Sequence, residues 1–382
     1  MKKVLFISPP DSMWTYNLIT NVRPADGNVY IYTTEDTDVT KRLEQQGYKL
    51  VKGTSDNRAV YRIPVAGAVL LCAKYRMAAK RIFRKYGNFD VIHISWIVLH
   101  EMTAMGIMRR HAKRIICTFW GSDLLRVSAK NLKRYRPGLE KADAVTVSTE
   151  YMKQHFCDVF GNRLGKKIRL ARFGLESFKY ITLSEEDAGR GKEYFHIPSD
   201  RICVTIGYNG SIQQQHIDVI RTLAGIEEPV RSRLFLVLPA TYGLEEGYRQ
   251  RLVEELEKAG FKYLLVERNL KDDEIGKLRM AADIFIHAQT TDAFSASVQE
   301  YLYAGKVIFN PAWIRYRELE KKDVFFYEYS DFPELKEKLL QYLNGTGDLT
   351  DLADRLAGNR EKIRQLSSWD CVAQSWRAIY SL

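Results

Sequence analysis

The sequence has few cysteines and no long hydrophobic run. Its 382 residues include five cysteines, which are scattered, odd in number and without CxxC spacing. Free thiols therefore fit this sequence better than a disulfide framework or a zinc site. The longest apolar stretch, residues 63–73, is far shorter than the roughly 20 residues that cross a bilayer. The start, MKKVLFISPPD, has only a strand-length apolar stretch and does not resemble a signal peptide, so the sequence predicts a cytoplasmic protein.

The composition is that of a globular protein with an uneven charge. Apolar residues make up 46% and charged residues 27%, and the length favours two domains over one. Residues 1–180 contain 32 Lys and Arg against 15 Asp and Glu, a balance of +17, whereas the remainder has a balance of −6. The basic half predicts an anionic partner, which is a membrane surface, a nucleic acid or a phosphorylated substrate.

Short apolar runs alternate with helical stretches in two successive series. We expect strands at residues 3–8, 28–34, 90–96, 114–120 and 143–149, and again at 201–209, 233–240, 263–267, 283–288 and 306–310. Strands that alternate with helices indicate parallel sheets covered on both faces. The sequence therefore predicts two Rossmann-like α/β domains that face a cleft, with the polar segment 179–200 as the linker between them.

The stretch from Ala282 to Asn310 contains the most informative motif. A strand is followed by a small polar loop, and a helix is expected to begin around residues 295–297. Asp292 and Glu300 are eight residues apart, and Gly305 ends the helix. The N–H groups at a helix N-terminus form an anion site, so a pyrophosphate is a candidate ligand here. A carboxylate at position 300 would suit a ribose diol, because it can accept hydrogen bonds from both hydroxyls.

This motif resembles the E-x7-E motif of the family 4 (group 1) retaining glycosyltransferases, with Asp292 in place of the first Glu. The resemblance extends along most of the chain. Residues 120–123 (WGSD) are similar to the family's His-Gly-x-Asp loop, residues 142–152 to its next strand and helix, residues 172–178 to its Asn-Gly-Val-Asp turn, and residues 366–380 to its closing helix. The family implies the GT-B fold, with an acceptor-binding domain at 1–178, a nucleotide-sugar domain at 179–365 and a helix at 366–382 that crosses back.

Two segments resemble a narrower group. Residues 206–216 and 238–248 are similar to the enzymes that transfer 4-acetamido-4,6-dideoxygalactose to a lipid-linked enterobacterial antigen. Those enzymes invert the anomeric centre, whereas the acidic pair favours retention. Both stereochemical outcomes therefore remain open, and the acidic pair makes retention the prediction.

The resemblance implies roles for individual residues. Asp123, Asp292 and Glu300 are the candidate catalytic residues, and Ser12, Trp120, Gly121 and Ser122 lie on the acceptor side. The donor-binding set is Asn209, Gly210, Ser211, His216, Tyr242, Arg268, Asn269, Thr291, Phe294, Ser295, Ala296, Ser297 and Glu300. The fold needs neither a metal nor another cofactor, so we interpret the DxD sequence Asp36-Thr37-Asp38 as a loop.

The chain also departs from the family pattern. The usual histidine of the His-Gly-x-Asp loop is Trp120, and the Arg and Lys that commonly clamp the diphosphate are absent from residues 206–216. Backbone amides and another cation, for which Arg268 is the candidate, would then have to meet the phosphate charge.

Each of these residues also has a purely structural interpretation. Glu300 can be a solvated helix residue, and Asp292 and Asp123 can cap helices, the latter a helix that begins at Leu124. His216 can be a satisfied surface or core side chain. Trp120 can belong to the core, although a tryptophan at a strand end is also suited to stacking on a sugar.

A basic amphipathic helix is expected in the first domain. Its basic residues are Lys74, Arg76, Lys80, Arg81, Arg84 and Lys85, and a second cluster comprises Arg126, Lys130, Lys133, Arg134 and Arg136. Such a helix can lie at an anionic membrane interface, although basic helices also occur as merely solvated faces. The first interpretation predicts peripheral association with the inner face of the plasma membrane.

The sequence as a whole predicts a hexosyltransferase that uses a nucleotide sugar and a lipid-linked or polysaccharide acceptor in surface glycan synthesis, such as that of capsule or O-antigen. One alternative is a sugar-nucleotide epimerase of the same fold, which acts without an acceptor. A second is a basic nucleic-acid-binding protein, although no nucleic-acid module is recognisable and the second half is acidic.

Overall fold

The chain forms two compact units. A computed structural model describes residues 2–9, 11–22, 28–53, 64–186, 188–347 and 349–381. The first unit comprises Met1–Gly174 and Trp369–Leu382, and the second comprises Leu175–Ser368. These boundaries lie a few residues from the expected ends at 178 and 365. No helix among the described residues is both long and apolar enough to span a membrane.

The first unit is built on a parallel sheet. Its elements are β1 (Lys3–Ile7), α1 (Met13–Val22), β2 (Asn28–Thr33), α2 (Asp38–Gln45), β3 (Lys49–Lys52), α3 (Pro64–Tyr86), β4 (Phe89–Ser95), α4 (Leu99–Met108), β5 (Ala112–Thr118), α5 (Ser122–Leu125), α6 (Ala129–Lys133), α7 (Arg136–Leu139), β6 (Ala144–Val147), α8 (Glu150–Phe160), α9 (Asn162–Gly165), β7 (Ile168–Leu170) and the C-terminal helix, Trp369–Ser381. The strand order is β3-β2-β1-β4-β5-β6-β7.

The second unit repeats this architecture. Its elements are α10 (Ser177–Glu185), α11 (Ala188–Tyr194), β8 (Ile202–Ile206), α12 (His216–Ala224), β9 (Leu234–Pro239), α13 (Glu246–Ala259), β10 (Lys262–Val266), α14 (Asp272–Ala281), β11 (Ile284–Ile286), α15 (Ala296–Tyr303), β12 (Val307–Pro311), α16 (Arg317–Glu320), β13 (Tyr327–Tyr329), α17 (Phe332–Leu343) and α18 (Leu352–Ser367). The strands are parallel in the order β10-β9-β8-β11-β12-β13. The predicted α/β fold with two parallel sheets is confirmed.

The alternation of side chains along the strands divides the second unit's core in two. On β11, Phe285 packs with Leu278 and Tyr301 on one face of the sheet. Ile284 and Ile286 pack on the other face with residues of α12 and α13. Because both faces are covered by helices, the strands are almost wholly apolar, as the sequence runs indicate.

The segment 179–200, which the sequence predicts to be an interdomain linker, is instead helical. Residues 179–200 contain most of α10 and all of α11, and both helices pack against α14 in the second unit. The glycines at the contacts explain the close approach, since a Cβ at Gly276 would lie 2.5 Å from the Tyr180 carbonyl oxygen and one at Gly191 would lie 2.6 Å from the Lys277 carbonyl oxygen. The polar sequence of this segment reflects exposed helix faces, so the prediction of an irregular linker is wrong.

The C-terminal helix, now labelled α19 (Trp369–Ser381), belongs to the first unit. Trp376 is fully buried in that core, and its indole N–H donates to the Arg172 carbonyl oxygen at 2.7 Å. The Tyr380 hydroxyl lies 2.5 Å from Nδ1 of His93 in β4. The last helix therefore completes the hydrophobic core of the unit in which the chain begins.

Candidate active site

In the second unit, the strand order reverses between β8 and β11. These strands are neighbours, and the strands that follow each of them lie on opposite sides. Ligands of such sheets bind in the crevice at the carboxyl ends of the strands, where the order reverses. The loops at residues 207–215 and 287–295 leave the sheet at this point, and both contain predicted donor-binding residues.

The loop after β8 is held by its own polar groups. Gly207 has φ +65°, and a Cβ there would lie 2.8 Å from both Gln214 Oε1 and His216 Nε2. The Ser211 N–H donates to Asn209 Oδ1 at 2.9 Å. The Asn209 amide in turn donates to the Tyr242 hydroxyl at 3.3 Å. The structure thus brings together four predicted donor-binding residues, namely Asn209, Gly210, Ser211 and Tyr242.

A cavity of about 330 Å³ adjoins this loop. It is lined by Ser211, Ile212, Gly243, Glu245, Gly247, Tyr248 and Arg251. The lining combines hydroxyl groups with one cationic and one anionic side chain. Except for Ser211, these residues were not singled out from the sequence.

The position of His216 in the structure does not match its predicted role in donor binding. The imidazole is fully buried, and Nδ1 lies 3.2 Å from the Tyr248 hydroxyl. Burial lowers the pKa of His216 to about 4, so the ring is neutral at physiological pH. In this conformation the side chain lies in the core beneath the loop and exposes no surface to a ligand, although its Nε2 has no hydrogen-bond partner among the described residues.

Asp292 lies in a polar cluster at the end of β11. Its Oδ2 accepts hydrogen bonds from the Tyr316 hydroxyl at 2.9 Å and the Tyr208 hydroxyl at 3.4 Å. The Gln289 amide donates to the Tyr208 hydroxyl at 3.3 Å, so this tyrosine accepts one hydrogen bond while it donates the other. Nε2 of His287 lies 3.7 Å from the same carboxylate oxygen. Asp292 is thus oriented by side chains and does not cap α15.

The proton on His287 can be assigned from its neighbour. The Asn310 amide group donates to the carbonyl oxygens of Pro311 and Ile314 at 3.0 and 2.9 Å, so its Oδ1 must face Nδ1 of His287 at 2.9 Å. Nδ1 therefore bears the proton, and Nε2 is an acceptor. Burial lowers the pKa of His287, which keeps the ring neutral. Sequence reasoning missed His287, because its position after a strand gave no sign of its partners.

The helix after this loop begins where the motif predicts. Ser295 is the N-cap of α15, and its hydroxyl accepts a hydrogen bond from the Val298 N–H at 3.4 Å. A serine cap satisfies one of the four N–H groups that a helix start leaves without intrahelical partners, and such a helix start is a position that suits an anion. Gly305, with φ +68°, follows the last turn. Phe294, Ala296 and Ser297 lie at this helix start, and Thr291 is exposed in the loop before it. Asn269 is exposed in the loop after the edge strand β10 and is not brought to this helix by any contact among the described residues.

Glu300 is buried and paired. Its Oε2 accepts a hydrogen bond from Nε of Arg279 at 2.9 Å and lies 2.8 Å from Nη2, and its Oε1 accepts a hydrogen bond from the Ser177 hydroxyl at 2.7 Å. The side chains of Glu300 and Arg279 are 9% and 8% exposed. Glu300 is therefore not a solvated helix residue.

Arg268, the candidate cation for the diphosphate, is already neutralised. Its guanidinium donates two hydrogen bonds to the Glu274 carboxylate, at 2.7 and 2.9 Å. This bidentate pairing is the strongest that an arginine makes with a carboxylate, and it lowers the pKa of Glu274 to about 2. The proposed contact between Arg268 and phosphate is thus not favoured by the structure.

In the first unit, Asp123 holds two loops together. Its Oδ1 accepts hydrogen bonds from the N–H groups of Trp120 and Gly121, both at 2.9 Å, and its Oδ2 accepts one from the Ile97 N–H at 3.0 Å. Burial raises the pKa of Asp123 to about 6. The helix here, α5, starts at Ser122 rather than Leu124 and has Gly121 as its N-cap. Asp123 therefore joins loops and does not cap this helix.

Two tryptophan side chains extend from the loops that Asp123 joins. The Trp120 indole N–H donates to the Ser95 hydroxyl at 2.6 Å, and its ring meets Trp96 edge-on with 5.2 Å between centroids. Trp96 follows β4 with φ +67°, an unusual conformation for a bulky residue. Ser12 lies at the start of α1, where its hydroxyl accepts a hydrogen bond from the Thr15 N–H at 3.2 Å. Trp96 was not predicted, because its backbone conformation has no sequence signature.

The DxD sequence has a local structural role. Thr37 is the N-cap of α2 and forms a capping box with Thr40. Asp36 pairs with Lys52 at 2.9 Å, and Asp38 with Lys41 at 3.7 Å. Among the described residues, no group of three or more His, Cys, Asp or Glu side chains is arranged to hold a metal ion.

Known proteins resemble this chain in sequence and fold. The sequence profile of Glycosyltransferase Family 4 matches residues 12–171. None of the curated proteins compared with the chain matches its sequence. A glycosyltransferase from Rickettsia africae ESF-5 superimposes with a TM-score of 0.78 at 16% identity, over 100% of this chain and 98% of that one.

Two further structures extend the comparison. Anabaena HepE in complex with UDP-glucose has a TM-score of 0.72 at 16% identity and is covered completely, as is this chain. The UDP-forming trehalose-phosphate synthase from Burkholderia xenovorans has a TM-score of 0.75 at 12% identity, over 100% of this chain and 99% of that one. These likenesses show the fold, and the family match favours glycosyl transfer over the epimerase alternative. The chain is a glycosyltransferase of the GT-B fold whose first unit contains a Glycosyltransferase Family 4 domain.

Proposed function

We propose that the protein transfers a hexose from a nucleoside-diphosphate sugar to a lipid-linked or glycan acceptor in the synthesis of a bacterial surface polysaccharide, such as capsule or O-antigen. The complex of Anabaena HepE with UDP-glucose supports a nucleotide sugar as the donor. The basic first half of the chain, with a balance of +17, supports an anionic acceptor such as a lipid diphosphate.

The observation that carries this proposal is the start of α15 at the reversal point of the second sheet. The N-terminus of this helix lies one loop after β11, and Asp292 and Glu300 flank it in sequence. The backbone N–H groups near residues 295–297 would bind the diphosphate, and Glu300 would bind the ribose. Asp292 and Thr291 would contact the donor sugar. In this proposal the phosphate charge is met by backbone N–H groups, without a metal or another cofactor.

The acceptor would bind to the first unit. Trp120, Gly121, Ser122 and Ser12 lie at or near the carboxyl ends of its strands, where ligands of parallel sheets bind. The Trp120 ring would stack on a sugar, since an aromatic face suits the apolar side of a pyranose. Asp123 would orient this loop, because its two carboxylate oxygens accept backbone hydrogen bonds. Proton removal by Asp123 stays a hypothesis.

The donor site is tested by nucleotide binding and turnover. We expect one of UDP, GDP and dTDP to raise the melting temperature of the protein, because binding to the folded state alone stabilises it. Glu300→Gln and Asp292→Asn should reduce turnover of the matching nucleotide sugar at least 10-fold. Glu254→Gln on the exposed face of α13 is the control. Full activity in both site variants would overturn the assignment.

The stereochemical outcome is a separate test. The Asp292–Glu300 spacing supports retention, and the narrower resemblance of residues 206–216 supports inversion. Proton NMR of the first product formed from an α-linked nucleotide sugar distinguishes the two outcomes. We expect an α-linked product, and a β-linked product would contradict the proposed retaining mechanism.

The helix α3 supports association with an anionic membrane. Its outward side exposes the apolar side chains Val69, Leu70 and Met77, and the basic side chains of Arg76, Lys80, Arg81, Arg84 and Lys85 follow along the same helix. The helix contains no Asp or Glu. This combination suits the headgroup region, where apolar side chains enter the interface and Lys and Arg meet anionic lipids.

Liposome flotation tests this membrane contact. Vesicles with anionic lipid should bind the protein at low salt, and binding should weaken as salt screens the charges. Leu70→Asp combined with Met77→Asp should abolish binding, whereas the exposed Leu183→Asp in the second unit should not. Absence of binding by the unmodified protein at low salt would rule out the membrane proposal.

A further inference from the structure

The sheet of the first unit reverses its strand order between β1 and β4. These two strands are neighbours, whereas β2 and β5, which follow them in the chain, lie on opposite sides of the pair. Ligands of open α/β sheets bind at the carboxyl ends of the strands beside such a reversal. Four aromatic residues follow strands of this sheet: Trp14 in the first turn of α1 after β1, Trp96 after β4, Trp120 after β5 and Phe173 after β7.

These four side chains form a continuous row of ring contacts, which we call the aromatic strip. Measured between ring centroids, Trp120 lies 5.2 Å from Trp96 and 6.1 Å from Phe173. Phe173 in turn lies 5.5 Å from Trp14. The interplanar angles of the three pairs, 73°, 80° and 66°, are those of edge-on contacts. In an edge-on pair, the ring that contributes its edge keeps its faces free of that neighbour.

The aromatic strip is held in place by the core of the unit. Phe173 lies 5.5 Å from the ring of Trp376, which is fully buried. The indole N–H of Trp120 donates to the Ser95 hydroxyl at 2.6 Å. Trp96 has φ +67°, a costly conformation of the kind that clusters at ligand sites. Rings that are fixed before a ligand arrives lose little conformational freedom on binding, so their contacts contribute more to affinity.

The rings of the aromatic strip are packed on one side and open on another. Trp14, at one end, is 38% exposed, and the other three residues are partly exposed. Such a surface suits a ligand that has an apolar face and a polar rim, and a sugar ring has this form. The steps between ring centroids, from 5.2 to 6.1 Å, are comparable with the length of one sugar residue. The strip is therefore long enough for more than one sugar.

We propose that the aromatic strip binds two consecutive sugar residues of the acceptor, so that the substrate carries an oligosaccharide and not a single sugar. The inference rests on the proposed function, in which Trp120 stacks on the acceptor sugar. Trp14 lies two ring contacts further along the strip, where it would stack on the next sugar. Trp14 is then a specificity-determining residue for the length of the acceptor glycan.

Acceptor length is tested by turnover of synthetic acceptors. These would carry one or two sugar residues on the same short prenyl diphosphate, with glucose, galactose, mannose or N-acetylglucosamine at the end. Release of nucleoside diphosphate from the matching nucleotide sugar would be followed. The two-sugar acceptor should have a kcat/KM about 3- to 10-fold higher than its one-sugar counterpart, as expected for one further aromatic contact. A longer prenyl chain on the one-sugar acceptor should not produce this gain.

The role of Trp14 is tested by its effect on this preference. Trp14→Ala should abolish the preference and leave kcat/KM for the one-sugar acceptor within about 2-fold, because only the second sugar loses its contact. Trp14→Phe keeps an aromatic ring and should retain part of the preference. Tyr151→Ala, which removes another exposed aromatic side chain of the first unit, should retain all of it. The affinity for the nucleotide should be unchanged in Trp14→Ala, since the proposed occupant is a sugar and not a nucleobase.

Thermal unfolding would verify that the variants are folded. If Trp14→Ala is unfolded, Trp14→Leu takes its place, because it keeps an apolar contact with Phe173 but lacks a flat ring. Equal kcat/KM for one-sugar and two-sugar acceptors, or a preference that survives in the folded Trp14 variant, would overturn this inference. A gain that follows the prenyl chain, or a 10-fold loss of nucleotide affinity in Trp14→Ala, would overturn it as well. Absence of turnover with every acceptor of the set would instead contradict the proposed function.

Discussion

The carboxylate of Asp123 accepts three backbone hydrogen bonds from two loops of the first unit. An asparagine in its place has one acceptor oxygen, and its amide group would face a backbone N–H. We therefore expect Asp123→Asn to lower the free energy of unfolding by about 1–3 kcal/mol, the cost of a buried donor without a partner. Urea unfolding measures this, with the exposed Asp158→Asn as control. Unchanged stability would show that the loops do not depend on the carboxylate.

The raised pKa of Asp123 gives a second prediction at this scale. Burial raises the pKa from 3.8 to about 6, so the folded protein binds this proton more tightly than the unfolded chain does. Its contribution to stability is complete below about pH 4 and is lost as the pH rises through 6. The stability of the unmodified protein relative to Asp123→Asn should therefore fall between pH 4 and 6. A constant difference in urea unfolding across this range would contradict the assigned pKa shift.

The packing of helices in the second unit depends on small residues at their contacts. A Cβ on Gly276 of α14 would lie 2.5 Å from the Tyr180 carbonyl oxygen in α10. We expect Gly276→Ala to destabilise the second unit by about 1–3 kcal/mol, because the backbone must move to admit the methyl group. Thermal unfolding of the variant measures this loss.

Gly358 in α18 is the matched control. A Cβ at this position would meet nothing within 4 Å, and the residue is exposed in a helix interior. Gly358→Ala should therefore stabilise the protein by up to about 1 kcal/mol, since alanine favours the helix. If Gly276→Ala and Gly358→Ala changed the stability equally, the close contact between α10 and α14 would not be the cause of the change.

At the scale of the whole molecule, the C-terminal helix α19 packs into the core of the first unit, although residues 175–368 separate it in sequence from the rest of that unit. Trp376 of α19 is fully buried in its core, and a Cβ at Gly174 would lie 2.4 Å from the Trp369 ring. We expect Trp376→Ala to lower the stability of the first unit by about 3–5 kcal/mol. The second unit should keep its affinity for the nucleotide, measured by calorimetry. Trp313→Ala, at a half-exposed ring of the second unit, is the control and should leave the first unit's stability unchanged.

The sequence determined the order of strands and helices, because apolar runs of strand length are a local property. All ten predicted strands occur in the structure, and the three further strands of the described residues, β3, β7 and β13, lie at sheet edges. Edge strands are short and half covered, so their sequences, such as KLVK in β3, lack a continuous apolar run. The start of α15 at residues 295–297 was predictable for the same reason, since its serine cap is local.

Tertiary structure decided which polar side chains already have hydrogen-bond or ion-pair partners. Arg268 and Arg279 look equivalent in the sequence, yet Arg268 is exposed and pairs with Glu274, whereas Arg279 is buried and pairs with Glu300 in the core. The burial of His216 and the partners of His287 likewise depend on residues more than 20 positions away. From the sequence alone, the five scattered cysteines disfavoured a disulfide framework or a zinc site, and the short apolar runs disfavoured a bilayer-spanning segment. The chemistry of the site depends on long-range pairing, because hydrogen bonds and desolvation act between groups that only folding brings together.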